Sequence, residues 1–329
     1  MKKIEDSVVL VTGATGLIGS NLVERLLDLG AYVIAVGRSK DKLEKCFALN
    51  PHYSRLNIIE HDMSQRLPDF KEKIDYIFHA ASPIAGNIIK TNPVSVILPN
   101  LIGTLNCLDF LKNQEKKDGI RGRIIIFSSA TVYGMDNSSR TVFEDDTTLA
   151  DSLDAINAPY SESKRMIEVL AKAYSKEYNV STVIARLAYV YGYTYFMPNT
   201  AFYEFIQDAL HGRDIVLNSN CAPKRDNIYV KDAVEGLLAI AQYGKDGESY
   251  NVSSNGDGNN YLAVDELAHI IASNAKYNIR VTFSNIVPGD RKPGICQNND
   301  KIKELGWTVK YNIQSGICET LQLYMKELH

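Results

Sequence analysis

A surplus of charge, a cysteine framework and long apolar runs are all missing from this 329-residue sequence. Lys+Arg 36 stand against Asp+Glu 39, a formal net charge of −3. That balance gives no long-range pull toward nucleic acid or an anionic membrane, so any basic site must be local. The 5 cysteines, Cys46, Cys107, Cys221, Cys296 and Cys318, show no Cys-x-x-Cys or Cys/His spacing; neither a disulfide framework nor a metal site is expected, and they read as reduced packing residues. The opening MKKIEDSVVLVTG breaks its apolar stretch with Glu5 and Asp6 and has no small-residue cleavage site after it. It therefore reads as neither signal peptide nor membrane span, and a cytoplasmic protein with no metal, nucleic-acid or membrane partner is the expectation.

What is present is a rhythm. The runs VVLVT, AYVIAV, LNIIEH, DYIFHAA, RIIIFSS and STVIARL are short, β-branched and almost wholly apolar, the pattern of strands buried on both faces. Between them lie helical stretches such as Leu17–Leu29, with Ile18, Leu22, Leu26 and Leu29 on one face, and Pro93–Leu111, whose proline suits a first turn. Strand and helix in alternation predict an α/β, Rossmann-like, doubly wound parallel sheet. After Leu187 the rhythm weakens. Residues 1–187 are accordingly read as a dinucleotide-binding domain and 188–329 as a smaller α/β substrate-binding lobe, interleaved with the last sheet elements.

VTGATGLIGSNL places Gly13, Gly16 and Gly19 between the first strand and the first helix. Glycine there permits a tight turn and close approach to a pyrophosphate, which the free N–H groups and the helix N-terminus stabilise. Asp62 after the third strand has two readings, an acceptor for an adenine amino group or a helix N-cap. Ala80, Ala81 and Ser82 end the fourth strand with small residues that let a ligand approach the backbone. The second strand ends in Gly37-Arg38, without the acid that would accept from the ribose hydroxyls of NAD; an arginine favours the 2′-phosphate, so NADP is expected ahead of NAD. The expected cofactor contacts are Gly13, Thr15, Gly16, Leu17, Ile18, Gly19, Arg38, Asp62, Met63, Ala80, Ala81, Ser82, Asn100, Tyr160 and Lys164.

Tyr160 and Lys164 in PYSESKR are four apart on a predicted helix and share one face. An ammonium there stabilises a tyrosinate and lets Tyr160 exchange protons near neutral pH. Ser129, at the tip of RIIIFSS, supplies a hydroxyl that can bridge Tyr160 and a substrate oxygen.

The motifs TGATGLIG, FHAAS, NLIGTLN, SSATVYG, YSESK, RLAYVYG, RDNIYVKDA, YNVSS and ELGW run in one order over nearly the whole chain. In them the sequence resembles an extended short-chain dehydrogenase/reductase of the nucleotide-sugar epimerase/dehydratase family. The resemblance implies a catalytic Ser129, Tyr160 and Lys164, hydride exchange with a nucleotide-linked sugar, commonly at C4, and Arg225 and Arg291 as grips on its diphosphate. It also implies substrate contacts at Thr131, Tyr189 and Asn199, and a homodimer built on the helices of TNPVSVILPNLIGTLNCLDFL and PYSESKRMIEVLAKAYSKEY, with Val94, Ile97 and Leu101 as an apolar stripe that core packing explains equally well.

The chain departs from the family in two places. Tyr189 stands where the family often has asparagine, and YTYFMPNT replaces the usual glycine–proline after VYG. Family dehydratases carry an Asp-Glu pair before VYG and decarboxylases a glutamate; here Ala130 and Thr131 stand there. Neither side chain can serve as acid or base at neutral pH. The sequence-based expectation is therefore an epimerase rather than a dehydratase, with an NADPH-dependent reductase of a nucleotide 4-keto sugar as the alternative and a non-catalytic dinucleotide sensor as the reading of another class.

Overall fold

The computed structural model describes residues 1–83, 86–134, 140–147, 151–287, 291 and 294–327. β1 (Val8–Thr12), α1 (Leu17–Asp28), β2 (Tyr32–Gly37), α2 (Lys40–Phe47) and β3 (Leu56–Glu60) alternate from the start. β4 (Tyr76–His79) leads through α3 (Gly86–Thr91) and α4 (Val94–Asp118) to β5 (Arg123–Ser129), and β6 (Arg140–Val142), α5 (Ala158–Tyr178) and β7 (Ser181–Leu187) follow. The six apolar runs of the sequence are β1 to β5 and β7.

The second half is built from shorter pieces. β8 (Tyr189–Tyr191), α6 (Ala201–Leu210), β9 (Ile215–Leu217), β10 (Arg225–Tyr229) and α7 (Val230–Tyr243) precede β11 (Ser249–Val252). β12 (Tyr261–Leu262), α8 (Val264–Ser273), β13 (Val281–Phe283), β14 (Ile295–Gln297), α9 (Asp300–Lys303) and α10 (Ile313–Glu327) complete the described elements.

The main sheet runs β11-β7-β5-β4-β1-β2-β3, and every pairing within it is parallel. The chain past Leu187 returns β11 to its edge, beside β7. Alternate residues feed opposite faces, as a pleated strand requires: Val9 and Val11 join the core under α1 and α7, while Leu10, Ile124 and Ile126 join the core under α4 and α5. Strand order reverses between β1 and β4, which opens a crevice at their C-terminal ends.

α4 runs past the expected end at Leu111 to Asp118, where Gly119 stops it with φ 67°. Its last turns are polar, so apolar periodicity could not reveal them; they are held by buried Gln114, which bonds Ile74 through both N–H and C=O. By length and composition α4 would suffice to cross a membrane. Here Val96, Cys107, Leu108 and Leu111 bury it, and it lies on the sheet beside α5. The sequence-based stripe is redistributed: Val94, Leu98 and Leu105 are the exposed apolar residues of α4, and Ile97 and Leu101 are half-buried. The cause is helical phase, which turns Ile97 and Leu101 toward the flank of the packed face.

Behind the crevice, His79 at the tip of β4 is buried and shares a 2.8 Å hydrogen bond between Nδ1 and Thr12 Oγ1. Thr12 Oγ1 in turn accepts from the Ala81 N–H at 3.2 Å. Burial, aided by the charge of Lys164, pushes the imidazole down from 6.5 to about 3. Because the folded pKa lies below its ordinary value, the unfolded chain takes up this proton first, and stability is lost as pH falls below 6.5 toward about 3. Between about pH 6.5 and about pH 5 the wild-type unfolding free energy should drop by ~1.5 kcal/mol more than that of His79→Gln. Denaturant titrations at several pH values check this, and parallel slopes would contradict a neutral buried imidazole.

Candidate active site

The turn after β1 is built around space for backbone alone. Gly13 has φ +66°, and a Cβ on it would lie 2.7 Å from the Ala81 nitrogen; a Cβ on Gly19 would lie 2.2 Å from the Gly13 carbonyl oxygen. Larger residues at Gly13 or Gly19 would therefore push the turn away from β4 and α1. Gly16 is the exposed tip of the turn and Thr15, Leu17 and Ile18 are half-exposed around it, with Leu17 and Ile18 packed on the core. Such a cradle at a helix N-terminus suits a pyrophosphate.

At the next strand tips, Arg38 and Asp62 line one cavity of about 280 Å³ together with Glu60, His61 and Gln65. The Ser64 backbone N–H donates to Asp62 at 2.9 Å, and this bond, with Arg38 a lesser contributor, holds the carboxyl below its usual range. Asp62 thus caps a turn and faces the cavity; no helix follows it, so the helix N-cap reading is not met. Met63 is placed differently from its neighbour: its side chain is buried in the core under α4, and its carbonyl accepts from Asn106.

The second cluster lies where β5 meets α5. Pro159 in the first turn starts α5, and Asn179, with φ 57°, ends it. Ser129 Oγ accepts from the Thr131 N–H at 3.2 Å and shares a side-chain hydrogen bond with Tyr160. Burial raises the Tyr160 pKa, and the Ser129 bond opposes that rise. Lys164, 4 % exposed, donates from Nζ to the Phe127 carbonyl at 2.7 Å and sits 5.6 Å from the centroid of the Tyr160 ring. Burial pushes this ammonium down to about 7, while Glu168 acts in the opposite direction. The cluster can give or take a proton at an oxygen placed beside Ser129 and Tyr160.

Asn100 joins the clusters. It accepts from Ser82 Oγ at 2.8 Å and donates to Ser163 Oγ at 2.9 Å, and Ser163 donates to the Tyr160 carbonyl. The tail of β4 is thereby tied to the first turn of α5.

Toward the second half, Thr131 Oγ1 is buried without a partner. Arg225, exposed at the start of β10, lies over the Tyr189 ring at 5.7 Å. Its neighbour Asp226 fixes the strand end by accepting from the N–H groups of Ser254, Asn255 and Gln297, each at 3.1 Å. Asn199 is exposed ahead of α6. Of PGDRKPG, only Arg291 and Gly294 lie within the described residues. Arg291 turns its fork onto Asp265 at 2.5 and 2.7 Å and onto the Ala222 carbonyl, so Arg225 carries the more open guanidinium of the two.

Sequence reasoning passed over Glu168, Ser128 and Arg186, which are buried beneath Lys164. Two signals were there: a glutamate four residues beyond Lys164, and an arginine inside the otherwise apolar STVIARL.

Comparisons with known proteins agree with this layout. The sequence profile of the NAD dependent epimerase/dehydratase family matches residues 9–253. UDP-glucuronic acid decarboxylase 6 of Arabidopsis thaliana is 30 % identical over 321 residues, covering 94 % of this chain and 86 % of that protein. The dTDP-glucose 4,6-dehydratase of Escherichia coli is 27 % identical over 346 residues, covering 96 % and 92 %. These relatives include a dehydratase and a decarboxylase, so they do not support setting those chemistries aside on Ala130 and Thr131 alone. In fold, the chain is similar to the UDP-glucose 4-epimerase of Thermotoga maritima in complex with UDP-glucose, with a TM-score of 0.80, 23 % identity and coverage of 98 % of this chain and 100 % of that one. The chain belongs to the NAD dependent epimerase/dehydratase family.

Proposed function

We propose that this chain is an NAD(P)-dependent 4-epimerase of a nucleotide-linked sugar, with Tyr160 as its acid/base. The observation that carries the reading is the convergence of Ser129, Tyr160 and Lys164 at the tip of β5, where the residues that follow, Ala130 and Thr131, have no carboxylate. An epimerase asks for no further acid or base beside Tyr160, which suits side chains that supply none at that place.

The backbone cradle at Gly13, Gly16 and Gly19 fits a dinucleotide pyrophosphate, and Arg38 and Asp62 fit its adenosine end. A dinucleotide held there would supply the nicotinamide as hydride acceptor and donor. Ser129 orients the sugar hydroxyl, Tyr160 takes the proton from that oxygen as the carbonyl forms and gives it back on reduction, and Lys164 stabilises the tyrosinate. Arg225 grips the diphosphate with its forked donors, and Thr131, Tyr189 and Asn199 border the sugar. Residues 188–329 serve as the substrate lobe.

Exposed Arg38 at the acid-free tip of β2 supports a preference for NADP. It also favours a second reading, a reductase of a nucleotide 4-keto sugar that exchanges NADPH at each turnover. Mass spectrometry of dinucleotide released from denatured protein separates the two: stoichiometric retention fits the epimerase, and an empty protein that takes up NADPH fits the reductase.

Three outcomes are expected. Incubated with a panel of UDP- and dTDP-hexoses and a UDP-hexuronic acid, the protein should invert C4, and Tyr160→Phe should lower turnover by about 10²-fold or more while cofactor affinity stays within a few-fold; release of water from a hexose, or of carbon dioxide from the hexuronic acid, by wild type would overturn the reading. Arg38→Ala should weaken NADP by tenfold or more, on the order of 1.4 kcal/mol, and NAD by far less in parallel titrations; equal losses would remove Arg38 from the 2′-phosphate. Finally, the exposed Val94, Leu98 and Leu105 of α4 and Met166 and Val169 of α5 fit a second copy of this chain. Sedimentation should therefore show a dimer that Leu98→Glu with Val169→Glu converts to monomer, and a monomeric wild type would exclude that interface.

A further inference from the structure

A cluster of buried charge lies directly behind the proposed proton-transfer pair. Arg186, on β7 and 2 % exposed, forks onto Glu168 of α5, with Nε to Oε1 at 2.9 Å and Nη2 to Oε2 at 2.7 Å. Its Nη1 donates to Tyr133 Oη at 3.1 Å and to the Glu144 carbonyl at 2.6 Å. Ser128 Oγ adds a 2.5 Å bond to Glu168 Oε1. Both carboxylate oxygens are therefore held in place.

Glu168 is also one helical turn beyond Lys164, which is one turn beyond Tyr160. Three consecutive residues at the end of β5 meet this series: the Phe127 carbonyl takes Lys164, the Ser128 hydroxyl takes Glu168, and the Ser129 hydroxyl takes Tyr160. One strand end and one helix face are thus joined by three polar rungs, of which the Glu168 rung alone carries a negative charge.

The surroundings of Lys164 show what that charge does. Facing it are the Phe127 carbonyl from β5, the His79 imidazole from β4, Tyr160 and Glu168 on its own helix and, behind Glu168, Arg186 of β7 with Tyr133 and the Glu144 carbonyl. The imidazole is neutral and Arg186 repels an ammonium, so among the described residues Glu168 supplies the charged attraction that, beside the Phe127 carbonyl, offsets the desolvation of Lys164. We propose that Glu168 is a positioning residue for the Tyr160–Lys164 pair: clamped by Arg186 and Ser128 one turn beyond Lys164, its carboxylate favours the ammonium form of Lys164 and holds α5 in register on β5. The proposal rests on the reading of Lys164 as a cofactor contact and as the stabiliser of the Tyr160 tyrosinate.

Titration of the full-length protein with NADPH, and in parallel with NADH, by nicotinamide fluorescence from mildly acidic to alkaline pH tests it. Wild-type affinity is expected to decline on the alkaline side as Lys164 loses its proton. In Glu168→Gln, isosteric and uncharged, the decline should move down by about one to two pH units, with a several-fold weaker affinity at neutral pH. Glu168→Gln with Arg186→Gln, which removes both buried charges, should show a smaller downward shift, whereas a role confined to packing would leave the double variant displaced at least as far as the single one. Should the single variant, which strands the Arg186 charge, fail to fold by circular dichroism, the double variant carries the test. Superimposed pH profiles in folded variants would overturn the role of Glu168 while leaving dinucleotide binding intact. A wild type that binds neither NADPH nor NADH would remove the dinucleotide reading and this inference with it.

Discussion

An arginine in the middle of a parallel sheet has to be answered in kind, and the rest of the site depends on how Arg186 is answered. Desolvating a guanidinium and a carboxylate costs several kcal/mol for each ion, which their attraction offsets only when geometry is good and the remaining donors are filled. Arg186 and Glu168 meet both conditions through two charge-assisted bonds, with Tyr133, Glu144 and Ser128 taking what is left. The pair fixes α5 against β5 and β7 at one level, so Tyr160 and Lys164 arrive at the strand tip as a consequence of packing. The same cluster reaches the second half of the chain: Gln297 donates to the Arg186 carbonyl and to Asn251, whose side chain accepts from Tyr133. Both the proton-transfer pair and the β11 and β14 segments are thereby referred to one buried charge pair.

Two basic groups lie close together behind the crevice, and burial treats them differently. His79 is driven neutral, with a pKa of about 3, and becomes a hydrogen-bonding strut between Thr12 and the tail of β4. Lys164 is brought down to about 7 and no further, because Glu168 opposes the desolvation. A lysine poised there sits near the boundary between its charged and neutral forms, the range in which proton chemistry at neutral pH is most responsive.

The crevice itself is a matter of clearance. Gly13 leans on Ala81 and Gly19 on the Gly13 carbonyl at distances that leave no room for a Cβ. The small residues of HAAS and of the glycine turn are thus two sides of one contact. That contact sits where strand order reverses, at the point from which loops of an open parallel sheet diverge.

Much of this was legible in the chain because it depends on local chemistry. Continuous β-branched runs separated by amphipathic stretches determine a parallel α/β sheet. The glycine turn, the hydroxyl-rich tip of RIIIFSS and the four-residue spacing of Tyr160 and Lys164 mark the site, because period and backbone freedom are properties of neighbouring residues. What only the tertiary structure decided involves partners far apart in sequence. Arg186 with Glu168, and Gln114 with Ile74, are such partners, and sequence reasoning passed over them. Arg225 and Arg291 are both expected from the sequence as diphosphate grips, until Asp265 is found to occupy the fork of Arg291 and leave the other open. Whether a buried charge is matched, and which arginine remains free for a ligand, depends on distances across the fold, and the order of residues along the chain does not contain those distances.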